Sequence, residues 1–245
     1  MDIVVKGSFV MYKIEPHLHT RQVSKCGWLD AEELARLYHE AGYHAIAVTD
    51  HYNPDTWVYM GINPKDPADV MPRFTEGYQR LAEAAAAYNM TVYLGAELRF
   101  YENDNDYLFY GFDPAMLAHP HEIMSMGAVA FSEIARKSGG IFIQAHPFRK
   151  SCVPLAPCFL DGIEVYNANP RHMHHNHNDL AQALADAQEP GFIQTAGSDC
   201  HRPEDVGLSG IQSRILPPNA TAFATLLRSG SFERIIPAQD GNSDR

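Results

Sequence analysis

Histidines and carboxylates recur along this chain at spacings that suit metal chemistry. His17-Leu18-His19 is an H-x-H pair, and Asp199-Cys200-His201 repeats the spacing with a carboxylate in first place. On extended backbone, alternate side chains share a face, so each pair can turn two donors toward one point. Between them lie His51 after Thr49-Asp50, Glu97 after Gly95-Ala96, and His146 before Pro147. Imidazole nitrogen and carboxylate oxygen both bind Zn²⁺, Mn²⁺ or Fe²⁺, and one carboxylate can bridge two ions. Ions so held lower the pKa of a bound water, so that hydroxide exists near neutral pH. The residue types therefore point to a metal-dependent hydrolase.

These residues are far apart in sequence, so the fold must gather them. Short β-like runs cover a stretch from Ile14 to His19 and residues 44–49, 91–94, 107–110, 141–145, 162–166 and 192–196. Helical patterns fall at 31–41, 73–88, 129–137, 180–187 and 220–229. Asp30 with Glu33 forms a capping box, Gly42 and Gly139-Gly140 are stops, and Asn219 is a cap. Residues 52–71 are rich in Pro, Asp and Asn and read as one long loop. Strand–helix alternation with about seven strands predicts an α/β barrel of parallel strands. The candidate donors sit at or just past the C-terminal strand ends, which converge on the catalytic face of such a barrel. One domain is expected over residues 1–237, followed by a polar, disordered tail at 238–245.

Composition narrows the setting. The 245 residues are 45% hydrophobic and 20% charged, as in a folded globular chain. The net charge of −11 disfavours nucleic-acid binding, which draws on basic patches. No run of about 18 apolar residues predicts a membrane span. The N-terminus lacks the pattern of a signal peptide. The four cysteines form no C-x-x-C pair, so a reduced, cytoplasmic protein is expected.

Taken in order, His17-Leu18-His19-Thr20, Thr49-Asp50-His51, Gly95-Ala96-Glu97, Ala145-His146-Pro147 and Gly197-Ser198-Asp199-Cys200-His201 resemble the PHP (polymerase and histidinol phosphatase) superfamily. The resemblance spans residues 14–216. It implies a distorted (β/α)7 TIM-like barrel, two or three divalent ions (Zn, Mn or Fe) and phosphoesterase activity. By the same resemblance, His17, His19, Glu97 and Asp199 hold one ion. Glu97 bridges to a second, which His146 also binds, and His51 and His201 hold a third. Two positions depart from the family pattern. The segment after H-x-H offers only Cys26 as a good ligand. Where the family has a histidine between the Glu and His-Pro motifs, Asp106 is the nearest donor, with His119 and His121 ranked lower.

The resulting expectation is hydrolysis of a small phosphorylated metabolite or nucleotide, with no nucleic-acid partner and no membrane. His51 or His201 would protonate the leaving group, and Arg149 and Arg171 would grip phosphate oxygens. The alternatives are amide or ester hydrolysis on the same barrel, and a metal-stabilised domain that binds without catalysis. Asp50 is expected to orient a neighbour rather than bind metal. Glu164 is balanced between ligand and support. The histidine-rich segment 171–177 is read mainly as a solvated loop, and Cys200 as packing.

Overall fold

The computed structural model describes residues 10–238. Of the tail expected at 238–245, residues 239–245 lie outside them. The sheet is built from β1 (Tyr12–Leu18), β2 (Ala45–Val48), β3 (His51–Tyr52), β4 (Thr91–Arg99), β5 (Asp106–Tyr110), β6 (Ile141–Gln144), β7 (Gly162–Asn167), β8 (Ile193–Gly197), β9 (Gly210–Ser213) and β10 (Glu233–Ile235). Strands pair in the order β10-β9-β1-β2-β4-β5-β6-β7-β8, with β3 alongside β4. A parallel bridge between Leu18 and Cys200 joins the segment after β8 back to β1. Seven strands (β1, β2, β4, β5, β6, β7 and β8) thus ring a nearly closed, distorted TIM-like α/β barrel, while β9 and β10 hang on β1 as an antiparallel flap.

The distortion is specific. β5 runs antiparallel to both neighbours, β4 and β6. All-parallel pairing was expected, and nothing in the short run 107–110 encodes direction. The inversion has a consequence for chemistry. The first residue of β5, Asp106, lies at the same mouth as the last residues of the parallel strands.

Alternation along the strands separates two packing faces. Ala45, Ala47, Tyr93, Leu108 and Ile143 face one way, where Phe223 and Leu227 of α8 (Ala220–Ser229) join them. Ile46 and Val48 face the other, against Leu34 and Tyr38 of α1 (Ala31–Glu40) and Leu81 of α4 (Glu76–Ala86). Each Ile, Val, Leu or Phe side chain so removed from water stabilises the fold by about 1.5–3 kcal/mol. The expected caps are made: Asp30 accepts from the Glu33 amide and Asn219 from the Ala222 amide.

The long loop expected at 52–71 is instead largely helical, with α2 (Pro54–Met60) and α3 (Pro67–Phe74). Asn53 and Asp66 cap these helices, and each has proline in its first turn, where a missing N–H costs nothing. α5 (Pro120–Ser138) is also longer than predicted. Gly127 breaks it at φ 79°, and the Glu102 carboxylate caps the second half by accepting from the Ala128 amide at 2.9 Å. α6 (Met173–Asn176) and α7 (Asn178–Asp186) lead into β8. Among the described residues, no helix is long and apolar enough to cross a membrane.

Candidate metal centre

The bridge that closes the barrel also assembles the centre. The His19 amide donates to the Cys200 carbonyl at 3.0 Å, and the Cys200 amide to the His17 carbonyl at 3.2 Å. His17 and His19 from the end of β1 are thereby set against Asp199 and His201 from the end of β8. At Gly197 a Cβ would stand 2.7 Å from the His17 Cβ and 2.8 Å from Glu164 Oε1, so only glycine permits this approach. Glu97 reaches the same point from within β4, which runs further than predicted, and His146 follows β6. His146 (φ 27°) and Asp199 (φ 49°) both adopt the left-handed region, which is disfavoured for non-glycine residues. Such backbone costs about 1–3 kcal/mol and tends to persist where a site requires it.

The donor atoms crowd together. His17 Nε2 lies 3.3 Å from Glu97 Oε1 and 3.5 Å from Asp199 Oδ1. His19 Nε2 lies 3.4 Å from Glu97 Oε2 and 3.3 Å from Asp199 Oδ1. His146 Nε2 is 3.2 Å from Glu97 Oε1, and the Nε2 atoms of His17 and His19 are 3.3 Å apart. Two ligands about 2.1 Å from one tetrahedral ion stand about 3.4 Å from each other, so this spacing matches shared coordination. Glu164 settles the His17 tautomer. Its Oε1 sits 2.9 Å from His17 Nδ1, which therefore carries the proton and turns the Nε2 lone pair inward. Glu164 Oε2 accepts from the His146 amide and from Asn167 Nδ2, so this residue braces the centre from behind.

The outer half is more open. His51 Nδ1 is 2.7 Å from Glu97 Oε2, yet neither atom makes a hydrogen bond. Leaving buried polar atoms unpaired costs about 1–3 kcal/mol each, and a cation between them removes that cost. His19, His51 and His201 form one group of converging donors, and His51, Glu97 and Asp106 another. His201 Nδ1 donates to the Asp199 carbonyl at 2.7 Å, leaving Nε2 free to accept. Cys26 is solvent-exposed along one side, while its sulfur meets both His51 and His201. Burial alone would raise its thiol pKa, but the two imidazoles pull it down to about 6.

Electrostatics keep the acids ionised. Burial opposes charge on Glu97, but His51 and His17 hold it well below the usual carboxylate range. His17 and Arg149 do the same for Asp199. His17 is depressed by burial, but Glu164, Asp199 and Glu97 override this and hold it well above its ordinary value. His19, buried beside His51 and His201, is held well below. Buried, ionised carboxylates beside imidazole nitrogens that can exchange a proton for a cation fit divalent metal ions.

The other expected residues sort cleanly. Asp106 reaches the centre, its Oδ2 4.0 Å from His146 Nε2, but Arg99 holds both its oxygens at 2.8 and 2.6 Å. His119 and His121 lie at the exposed start of α5, beside Glu122 and Tyr101, and do not join the centre. Arg149 is at the centre but committed: it donates to Asp199 at 2.7 Å, Asn167 at 3.0 Å and Asn176 at 2.8 Å. Arg171 is turned away onto Asp205, at 2.8 and 2.5 Å. Asp50 ties Thr20 and Ser24, each at 2.7 Å, and so fixes the turn that carries His19. Within 171–177, His174, His175 and His177 are solvated, whereas His172 lines the mouth. Cys200 is fully buried in the core. Sequence reading missed Arg99, Lys150 and Lys25. Arg99 could have been found two residues past Glu97, on the same face of its strand. Lys25 and Lys150 line the openings beside Cys26 and Arg149, and neither has an ion pair among the described residues.

A TIM-like α/β barrel with a strand-end cluster of donors fitted to divalent ions defines the class. The chain belongs to the PHP domain family, whose model matches residues 15–201. No curated protein matches in sequence. Similar solved structures include a two-domain protein from Bacteroides vulgatus containing a predicted PHP-like metal-dependent phosphoesterase (16% identity, 93% of this chain and 65% of that one, TM-score 0.61). PsfC from Pseudomonas syringae is similar at 16% identity over 94% of this chain and 93% of that one, TM-score 0.60. The lesion-specific endonuclease Q of Pyrococcus furiosus is similar at 12% identity over 92% of this chain and 58% of that one, TM-score 0.58. Another endonuclease Q structure holds a 27-mer duplex with an abasic lesion at the active site.

That last finding corrects one expectation. A small-molecule phosphorylated substrate with no nucleic-acid partner was inferred from the net charge of −11. A structure of similar fold, 12% identical to this chain, holds DNA with its lesion at the active site, so an acidic net charge does not by itself rule out a nucleic-acid partner. Whole-chain charge was the wrong measure, because field at a concave mouth depends on local groups. Here Arg99, Arg149 and Lys150 line the opening among the carboxylates Glu97, Asp104, Asp106 and Asp199.

Proposed function

We propose that this chain is a metal-dependent hydrolase of phosphate esters carried on a nucleic-acid strand, acting at a terminus or an unstacked nucleotide. The observation that carries the reading is the convergence of His17, His19, Glu97, His146 and Asp199 at contact distances of 3.2–3.5 Å, in a buried site whose mouth carries Lys150 beside the paired Arg99 and Arg149. His17, His19, Glu97 and Asp199 would hold one ion, Glu97 and His146 a second, with Asp106 at its edge. His51 and His201, with Cys26 beside them, would hold a third. Zinc, manganese and iron all suit these donors. Bound ions of this kind supply Lewis acidity toward phosphate oxygens and activate water at neutral pH.

The protein's own groups do the rest. Glu164 and Arg149 keep His17 and Asp199 fixed, so that the reacting phosphate meets a preorganised centre. Lys150 and Lys25 are the cations free to receive phosphate, a role first expected of Arg149 and Arg171. His201 and His51, partly exposed at the rim, are placed to give a proton to the leaving oxygen when one is not bound to an ion. The acidic remainder of the surface repels a long duplex track, which favours contact limited to a few nucleotides. Four free thiols fit a reducing compartment, and we place the protein in the cytoplasm.

The test is a panel of single-stranded and duplex oligonucleotides, abasic DNA, simple phosphate mono- and diesters, and amides, each with Zn²⁺, Mn²⁺ or Fe²⁺. Release of phosphate or a strand break from a nucleic-acid substrate is expected. Turnover of amides alone, or metal binding without turnover of any phosphate ester, would overturn the reading.

A further inference from the structure

Beside the metal centre, Trp28 presents an indole that is 58% exposed. Its backbone is not loose. The Trp28 amide donates to the His201 carbonyl at 2.8 Å, and its neighbours Gly27 and Leu29 are buried. The indole is therefore held at a fixed height directly beside a residue of the centre. The Arg202 guanidinium lies over one ring face, 4.1 Å from the centroid, a cation–π contact that holds the plane. Next to this pair is a concavity of about 220 Å³ lined by Trp28, Arg202, Asn169, Cys26, His172 and His201. Cys26, His172 and His201 also line the metal mouth, so the two spaces adjoin.

Two of the polar groups around this concavity are already used. Asn169 donates to the Asp199 carbonyl at 3.1 Å and accepts from the Arg171 amide at 3.1 Å. Arg171 is held by Asp205. A flat ring face and a guanidinium are available for stacking. Stacking on an aromatic platform is tolerant of sequence because every base has a π-face.

The geometry points to Trp28 and Arg202 as a stacking subsite for the nucleobase next to the reacting phosphate, one that takes any base. The inference rests on the hydrolytic reading above for its substrate, but its test does not. Two chromogenic diesters separate the terms: thymidine 5′-(p-nitrophenyl phosphate) and its abasic counterpart, which keeps the sugar and lacks the base. With the full-length, Mn²⁺-loaded protein, kcat/KM favours the base-bearing ester. Trp28→Ala lowers that preference about 10-fold, and Trp28→Phe retains most of it. An unchanged preference in Trp28→Ala would overturn the subsite. A second measurement needs no turnover. Thymidine monophosphate quenches tryptophan fluorescence saturably in the wild type and not in Trp28→Ala, while deoxyribose 5-phosphate quenches neither. Equal quenching of both proteins would also overturn it. If the wild type cleaves neither ester, the hydrolytic reading fails, and the quenching alone decides the platform.

Discussion

The two halves of the metal centre are built on different terms. In the inner half, His17, Glu97, His146 and Asp199 have side chains exposed by only 0–2%. Three of the four are held from behind or beside: His17 by Glu164, His146 through its amide by the same carboxylate, and Asp199 by Arg149 and Asn167. In the outer half, His51 and His201 are 19% and 13% exposed, and the nearest extra donor is a thiol open to solvent. A buried, braced set loses little entropy on binding an ion and admits no competing water. An open, lightly braced set exchanges its ion and meets substrate. The contrast assigns tight structural loading to the inner half and adjustable chemistry to the outer.

Glu97 joins both halves, so its removal gives the largest effect. Glu97→Ala should abolish binding of at least two ions and lower turnover by about 10³-fold, with the fold intact by circular dichroism. Elemental analysis of the purified variant checks this. Normal metal content would mean that the two halves do not share a ligand. Next is the brace. Glu164→Gln keeps the shape but weakens the hold on the His17 tautomer, and should loosen the inner ion by about 10–100-fold in a chelator competition while sparing the outer one. Equal loosening of both would erase the distinction drawn here. The outer half is probed at Cys26. A thiolate favours soft ions, so Cys26→Ser should weaken zinc at the outer position by about 10-fold and manganese much less. Cobalt substitution offers an independent readout, since sulfur ligation gives a charge-transfer absorption that the variant lacks.

The inner half was legible in the sequence because its donors sit at strand ends, where residue type and position are both visible. His17, His19, His146 and Asp199 need only a parallel barrel to bring them together. What could not be read was direction and commitment. The run at 107–110 carries no sign that β5 is inverted, and it is that inversion which sets Asp106 beside Arg99 at the mouth. Asn53-Pro54 and Asp66-Pro67 are cap-and-first-turn signals, yet in a polar stretch they look like loop punctuation, so α2 and α3 were hidden. Arg149 was located correctly, but its partners Asn167, Asn176 and Asp199 come from other segments, and no local pattern shows that its nitrogens are already engaged. Net charge misled for a related reason: it averages over a surface on which Lys25 and Lys150, unpaired among the described residues, line two openings that share Cys26, His51 and Arg99.

That difference between an engaged and a free cation yields the smallest effect and the sharpest comparison. Arg149 and Lys150 are adjacent in sequence and line the same opening. Arg149 supports Asp199 and is largely enclosed, so Arg149→Ala should behave as damage to the inner half, with weakened metal binding. Lys150 is exposed and unpaired among the described residues, so Lys150→Ala should leave metal content unchanged. Its loss should appear only in binding of a short single-stranded oligonucleotide. Affinity should fall a few-fold, and the slope of log affinity against log salt should become shallower by about 0.7, as for one lost phosphate contact. Titration by fluorescence anisotropy at several salt concentrations measures that slope. If Arg149→Ala changes the slope and Lys150→Ala does not, phosphate is gripped by the enclosed arginine, and the inner half takes part in substrate capture after all.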